Sequence, residues 1–275
     1  MEINTRGNPM REPGLQVTAN YVSGHKVIEQ RVIELQTELD GLQVANLAYA
    51  VVRANSYSQG LTKLRTLHTK GQAAFQPKYA RSNGRPTVRP LTFQETIDAK
   101  VNAYESGNKE LFKTCLSTSS GIVYEGTSKF KIIPLAQELV SLPRSFEGAF
   151  AQAAYALADV QELDRSASKY KYNDLLGREE ALRHPAWNEA VPDKALLRAY
   201  RDIVFDELNA VHTEKAMGFW LSTDPPRDSL WALGVDLLLG CYSKAYSLDD
   251  LNGEARFIRV AQKAAGVGLA AHGGD

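Results

Sequence analysis

The sequence predicts an α+β protein, with helical patterns early in the chain and strand patterns near its end. Apolar residues recur at helical spacing in KVIEQRVIELQTELDGLQV and again in DKALLRAYRDIVFDEL. By contrast, SGIVYEGTSKFKIIPL is rich in β-branched and aromatic residues, which is typical of strands. GFWLST, LWALGV and ARFIRV then follow as three short apolar runs. Both periodicities in one chain indicate helices packed with a sheet.

The composition is that of an ordinary globular protein and excludes several classes. The 275 residues are 44% apolar and 23% charged, with a formal net charge of zero. No run of 18 apolar residues occurs, so no membrane span is predicted, and the first residues lack the apolar core of a secretory signal. Cys115 and Cys241 are too few for a disulfide framework. Two free thiols are favoured, and a single pairing is the alternative.

The first part of the chain is predicted to be an irregular arm followed by a helical segment. Residues 1–24 contain several Gly and Pro residues, which are typical of an arm without regular structure. Residues 25–55 are predicted to be helical. A heptad seam runs through Ile28, Val32, Leu35, Leu39, Leu42, Asn46 and Tyr49. This seam over residues 28–49 predicts either packing within the chain or a homo-oligomer.

A basic stretch follows. Residues 25–90 are therefore predicted to form one region, a helical segment with a basic linker. Residues 60–90 contain seven Lys or Arg and no Asp or Glu. The favoured interpretation is a polar linker against the more acidic remainder. The alternative is a nucleic-acid patch in which Phe75 and Tyr79 lie among the cations.

From residue 91 the predicted elements are better defined. Thr92 and Glu95 form a T-x-x-E capping box before a helix, and a second short helix is predicted in KELFKTCL. A hairpin is predicted around Gly126. Further helices are predicted in FEGAFAQAAYALADVQELD, REEALRHPAWNEAV and DKALLRAYRDIVFDELNAV, with breaks at Pro185 and Pro192.

Signatures of catalysis are missing from the sequence. It contains no GxGxxG, P-loop, HExxH or GxSxG motif. The five histidines are scattered and none has metal-ligand spacing with another His, Cys or Asp. We therefore expect no catalytic residue, no metal and no cofactor, and a protein that is not an enzyme.

The end of the chain carries a resemblance to a known fold. An aromatic strand ends in Ser-Thr, a proline loop leads to LWALGV, and an irregular segment leads to a strand with Arg256 and Arg259. This order resembles the end of a bacterial-type C-type lectin fold, which also contains the formylglycine-generating oxidases. The resemblance implies a small twisted antiparallel sheet with flanking helices, over a domain of residues 91–275.

A wider resemblance covers roughly residues 91–262. LTFQETIDAKVNAYESG, SGIVYEGTSKFKIIPL, EEALRHPAWNEAV, KALLRAY and MGFWLST occur in an order similar to variable proteins of small archaeal or viral lineages. In those proteins a retroelement diversifies the lectin-fold region by mutating adenines. The resemblance implies a display protein that binds a protein or cell-surface ligand.

The segment 229–254 is the candidate variable region. Its apparent frame is Leu230, Trp231, Ala232, Leu233, Val235, Ala245, Leu251 and residues 255–257. Its unpatterned positions are Gly234, Leu237, Leu238, Leu239, Gly240, Cys241, Tyr242, Tyr246, Leu248, Asp249, Asn252 and Gly253. All of these types are reachable from an Asn codon by substituting adenines, whereas Lys244 and Glu254 are not.

The predicted ligand-binding residues come from this segment. They are Gly234, Asp236, Leu237, Leu238, Leu239, Gly240, Cys241, Tyr242, Ser243, Tyr246, Leu248, Asp249 and Asn252. The alternative is an ordinary core segment, with the leucines buried and the tyrosines packed inside. A lectin-fold oxidase is a further alternative, but that chemistry needs a cysteine pair and only Cys241 lies in this region.

Overall fold

The computed structural model describes residues 47–69, 81–82, 85–86, 89–152, 160–166, 169–208, 214–238, 242–248 and 250–262. The predicted arm over residues 1–24 and the seam up to Asn46 lie outside the described residues. The described residues from Ala48 onward belong to one compact unit. Among the described residues, no helix has the length and apolar character needed to cross a bilayer.

The described chain contains both helices and strands, which confirms the α+β class. The helices are α1 (Tyr57–Thr69), α2 (Phe93–Glu105), α3 (Lys109–Lys113), α4 (Gln137–Val140), α5 (Arg178–Arg183), α6 (Pro185–Ala190) and α7 (Lys194–Leu208). The strands are β1 (Leu47–Ala54), β2 (Arg81–Ser82), β3 (Arg85–Pro86), β4 (Leu116–Tyr124), β5 (Lys129–Ile133), β6 (Ala151–Gln152), β7 (Glu162–Asp164), β8 (Leu175–Gly177), β9 (Lys215–Trp220), β10 (Ser229–Leu238), β11 (Tyr242–Ser247) and β12 (Ala255–Gln262).

The main sheet has eight strands, in the order β7-β5-β4-β10-β11-β9-β8, with β6 added beside β10. Its pairs are antiparallel except for β11 with β9, which run parallel. Separate two-stranded ladders join β1 with β12 and β2 with β3. The three predicted C-terminal strands are confirmed as β9, β10 and β12.

Two local predictions at the start of the region from residue 91 are confirmed in detail. Thr92 Oγ1 accepts from the Glu95 backbone N–H, and the Glu95 carboxylate accepts from the Thr92 N–H, completing the capping box of α2. Arg89 makes a two-point ion pair with the same carboxylate, at 2.7 and 2.8 Å. The predicted hairpin joins β4 and β5, and Gly126 has φ +127° in its turn, a conformation that favours glycine.

The helix predicted over residues 25–55 is wrong for residues 47–54. LAYAVVRA forms β1 and pairs with β12. Its alanines, valines and leucine fit either periodicity over so short a run, and pairing with β12 decides between them. Within the predicted basic linker, residues 57–69 form the helix α1, whose Tyr57, Leu61 and Leu64 are buried.

The helix predicted in FEGAFAQAAYALADVQELD is also wrong where the structure describes it. Ala151–Gln152 forms β6 against Ser229–Leu230, and Glu162–Asp164 forms β7 against Lys129–Lys131. Residues 153–159 lie outside the described residues. High alanine content favours a helix, but sheet pairing at both ends overrides this local preference.

The other predicted helices are present, and the predicted break at Pro185 divides one of them. REEALRHPAWNEAV divides at His184 into α5 and α6, because Pro185 begins α6 as its first residue and restricts His184 to extended backbone. α7 begins after Pro192, and Asp193 Oδ1 accepts from the backbone N–H groups of Ala195 and Leu196.

Different layers cover the two faces of the main sheet. On one face, α7 packs against β9 and β11, and Tyr200 of α7 lies 2.7 Å from Ser243 in a buried hydroxyl–hydroxyl hydrogen bond. On the other face, Leu230 and Ala232 of β10 belong to a buried cluster with Tyr57 of α1 and Phe257 of β12. The rings of Tyr57 and Phe257 meet edge to face at 5.0 Å.

Candidate ligand-binding face

Strand β10 continues beyond the part covered by the α1–β12 layer, and there it pairs with β11 on one side and with β4 on the other. In this part of the sheet, Gly234 pairs with Tyr246, Asp236 with Lys244 and Leu238 with Tyr242. On the far side of β11, Gly218 pairs with Lys244 and Trp220 with Tyr246. Since directly paired residues project to the same face and β11 alternates with a period of two, the side chains of Asp236, Tyr242, Lys244, Tyr246 and Trp220 share one surface.

Burial along β11 alternates with a period of two and separates this surface from the core. Ser243, Ala245 and Ser247 are buried, whereas Tyr242, Lys244 and Tyr246 are half-buried. Asp236 and Trp220 are also half-buried. We call the five half-buried residues Trp220, Asp236, Tyr242, Lys244 and Tyr246 the outer face.

Each of two aromatic rings on the outer face lies across a glycine. Trp220 lies over Gly218 and Tyr246 over Gly234, where an added Cβ would come within 3.1 Å of Tyr246 Cζ. The indole of Trp220 also stacks on Tyr242, with centroids 5.8 Å apart and planes at 24°. The absence of side chains at these glycines therefore leaves room for the rings to lie against the sheet.

Tyr246 is anchored at its hydroxyl group. Its oxygen lies 3.0 Å from Cys115 Sγ, in the residue just before β4. Burial raises the pKa of the Cys115 thiol, and the hydrogen bond to Tyr246 acts in the opposite direction. The neutral thiol is thus favoured, and it serves as a partner that holds the tyrosine across β10.

The charged residues of the outer face lie side by side between the tyrosines. Lys244 Nζ is 4.9 Å from the ring centroid of Tyr246, a distance typical of a cation–π contact. Behind this area, Lys100 is fully buried and donates to the carbonyl oxygens of Phe112 and Thr114, at 2.7 and 2.6 Å. Burial lowers the pKa of Lys100 to about 7.

The structure brings together one group of the predicted site residues. Gly234, Asp236, Tyr242 and Tyr246 lie on or beneath the outer face, and Leu238 pairs with Tyr242 at the end of β10. Leu239, Gly240, Cys241 and Asp249 lie outside the described residues.

Four predicted site residues lie elsewhere. Leu237 is 4% exposed and Ser243 is 0% exposed, so their prediction as surface residues is wrong, because strand alternation turns both toward α7. Leu248 packs against the α1–β12 cluster. Asn252 is exposed in a separate turn, where its Oδ1 accepts from the Gly148 N–H at 3.2 Å.

The inward–outward alternation of the strands also separates the apolar frame residues predicted from the sequence from the residues of the outer face. The apolar frame residues are all buried: Leu230, Trp231, Ala232, Leu233, Val235, Ala245, Leu251, Ala255 and Phe257. Trp220 and Lys244 belong to the outer face but were not among the predicted site residues. Trp220 was missed because it lies before the segment 229–254 from which the site was predicted. For Lys244, the only sequence signal was the period-two alternation of YSKAYS.

The basic segment that suggested nucleic-acid binding is described in part. Lys63 Nζ donates to the Arg53 carbonyl oxygen at 2.8 Å, and Arg65 Nη2 donates to the Val140 carbonyl oxygen at 2.6 Å. Residues 70–80 lie outside the described residues, so nucleic-acid binding by residues 60–90 stays a prediction.

Comparison with known proteins identifies the fold. No family model matches the chain, and no curated protein matches it. A solved protein of the Nanoarchaeota, described as accommodating massive sequence variation by the C-type lectin fold, is similar in structure with a TM-score of 0.51. The two sequences are 15% identical, and the match covers 78% of this chain and 97% of that one. The chain thus has the predicted C-type lectin fold.

Proposed function

We propose that this chain is a ligand-binding protein whose outer face contacts a protein partner. The proposal rests on one observation, the presence of three half-exposed aromatic residues on a single rigid sheet face, braced over Gly218 and Gly234. Trp and Tyr are enriched at protein interfaces because they provide large contact areas at low entropic cost. Side chains that are already held in position lose little freedom on binding.

The form of the surface favours a protein over a small molecule. The outer face is built from side chains of neighbouring strands, and small-molecule sites are usually concave and enclose most of the ligand. A sheet face of this type suits an extended segment or a loop of another protein. The C-type lectin fold of the nanoarchaeal relative, with its massive sequence variation, supports a display role.

Binding can be tested by selecting peptides from a random library on the immobilised full chain. We expect the selected peptides to lose binding to Tyr242→Ala and to Trp220→Ala. Tyr170→Ala is the matched control, since Tyr170 is a half-buried tyrosine outside the outer face, and it should bind as the unmodified chain does. Equal binding to Tyr242→Ala and the unmodified chain would contradict the proposal.

The finer proposal is that a retroelement diversifies this face. The nanoarchaeal relative and the types found at the unpatterned positions support it, and Lys244, which an Asn codon cannot produce by adenine substitution, would be a fixed member of the face. Strand alternation sharpens the expected pattern. Positions 236, 238, 242 and 246 should vary, whereas the inward positions 235, 237, 243, 245 and 247 should stay constant.

This pattern can be checked in the genes of near-identical chains. Variation at the outward positions, matched by adenines in a nearby template copy, would support diversification. Equal variation at the inward positions, or variation unrelated to adenines, would reject it and leave the binding proposal standing.

A further inference from the structure

The carboxylate of Asp236 has the least satisfied surroundings on the outer face. It is half-buried, and within the described residues it makes no hydrogen bond and no ion pair. Its cross-strand neighbour is Lys244, whose ammonium lies over the ring of Tyr246 instead. A carboxylate that is partly removed from water without a partner is unfavourable, so an incoming donor would find an open acceptor here.

Aromatic residues flank this carboxylate. Tyr242 and Tyr246 lie at the two diagonal positions from Asp236, since Asp236 pairs with Lys244 between them. Diagonal neighbours are about 7–8 Å apart, within reach of long or aromatic side chains. Tyr242 is in turn backed by the stacked indole of Trp220. The face thus offers one anionic group between aromatic rings.

Basic residues of the chain already contribute to the electrostatic potential at Asp236. Lys100 and Arg256 interact electrostatically with Asp236. Lys100 is buried with both of its hydrogen bonds directed to carbonyl oxygens, and Arg256 pairs with Glu254 at 2.9 and 3.0 Å. Within the described residues neither of them hydrogen-bonds the carboxylate, and Lys244 is the cross-strand neighbour that can compete for it.

From this arrangement we infer that the outer face binds an arginine side chain of its protein partner, paired with Asp236 and stacked against the tyrosines. A guanidinium group suits both features, because it pairs with a carboxylate through two parallel N–H groups and stacks on aromatic rings. The cation–π contact of Lys244 with Tyr246 is a local precedent for a cation on these rings. This inference rests on the proposed function and specifies the chemistry of the partner.

The test is a titration of the full chain with N-acetyl-arginine methylamide, compared with the citrulline analogue, which is nearly the same shape but neutral. The indole N–H resonance of Trp220, assigned from the Trp220→Phe variant, reports binding by NMR. We expect a saturable shift with arginine. The affinity for citrulline should be lower by a factor of about ten or more, because one charged pair is lost.

Two variants at neighbouring positions separate the roles of the charges. Asp236→Asn keeps the size of the side chain and should lower the arginine affinity to the level of citrulline. Lys244→Ala removes the competing cation and should raise the arginine affinity severalfold. Melting curves establish that both variants are folded, and neither substitution removes a hydrogen bond of the described structure.

Three results would overturn the inference: equal affinity for arginine and citrulline, unchanged arginine binding by Asp236→Asn, or no shift of the Trp220 resonance. None of these would contradict the proposed function. That function fails only if peptides or proteins selected on the chain bind independently of Trp220 and Tyr242.

Discussion

The indole of Trp220 covers Gly218 in its own strand, and a Cβ at position 218 would overlap Trp220 Cζ3 and lie 2.7 Å from the Asp174 carbonyl oxygen. Gly218→Ala should therefore displace the indole from its stack on Tyr242. We expect a loss of about 1–3 kcal/mol in the free energy of unfolding, as for other overpacking substitutions.

Denaturant unfolding of a double-mutant cycle tests this relationship. In a Trp220→Ala background, Gly218→Ala should cost less, because only the clash with the Asp174 carbonyl remains. An identical cost in both backgrounds would show that the indole does not restrict position 218.

The tyrosines of the outer face should contribute little to stability compared with a buried tyrosine. Tyr242→Ala or Tyr246→Ala should each cost about 1 kcal/mol, whereas Tyr124→Ala should cost about 3–5 kcal/mol because Tyr124 is fully buried. Thermal and chemical unfolding of the three variants provide the comparison. Losses of similar size at all three positions would favour the alternative that β11 is an ordinary core strand.

Neighbouring residues of β11 should respond in opposite ways. Ser243→Ala leaves the buried hydroxyl of Tyr200 without its partner and should cost about 1–3 kcal/mol in unfolding free energy. Lys244→Ala removes a half-exposed side chain and should change it by less than about 0.5 kcal/mol. The reverse order in urea unfolding would show that the inward and outward positions of β11 are wrongly assigned.

His184 should make the protein less stable at mildly acidic pH. It is 1% exposed, and burial lowers its pKa from 6.5 to about 4. The unfolded chain therefore binds a proton between pH 6.5 and 4 that the folded chain does not. The stability that comes from the lowered pKa of His184 is fully present above pH 6.5 and is lost as the pH falls toward 4. Between pH 8 and pH 5 the unfolding free energy should fall by about 2 kcal/mol.

The control for this prediction is His184→Gln, which cannot titrate in that range. Its unfolding free energy at pH 8 will be lower, because the contacts of the ring with Tyr172 and Phe219 are lost. Its change between pH 8 and pH 5 should nevertheless be smaller by about 2 kcal/mol. A parallel pH dependence of both proteins would assign the effect to other groups.

Sequence patterns predicted the local features of the fold better than its pairing. The capping box of Thr92 and Glu95 and the turn at Gly126 depend on residues close in sequence, and both are confirmed. The strand identity of residues 47–54 and 151–152 depends on partners more than 70 residues away, at 255–262 and 229–230. A local pattern contains no information about such partners.

The candidate site shows the same limit. The clustering of Leu, Cys and Tyr directed attention to residues 236–250, but only the register of β11 between β10 and β9 determines which side chains face outward. That register turns Leu237 and Ser243 inward. It also brings Trp220, which lies 22 residues before Tyr242 in the sequence, onto the outer face. Trp220 enters the face through the parallel pairing of β9 with β11, for which the sequence gives no local signal.

Strand β10 spans both halves of the sheet, because Leu230 and Ala232 lie under the α1–β12 layer and Asp236 lies on the outer face. Binding of a ligand at one end of this strand therefore stabilises the whole sheet against unfolding. At a concentration 100 times its Kd, such a ligand would add about 2.7 kcal/mol to stability. With roughly 2–4 °C in Tm for each kcal/mol in a chain of this size, a thermal-shift screen can find partners without any assay of activity.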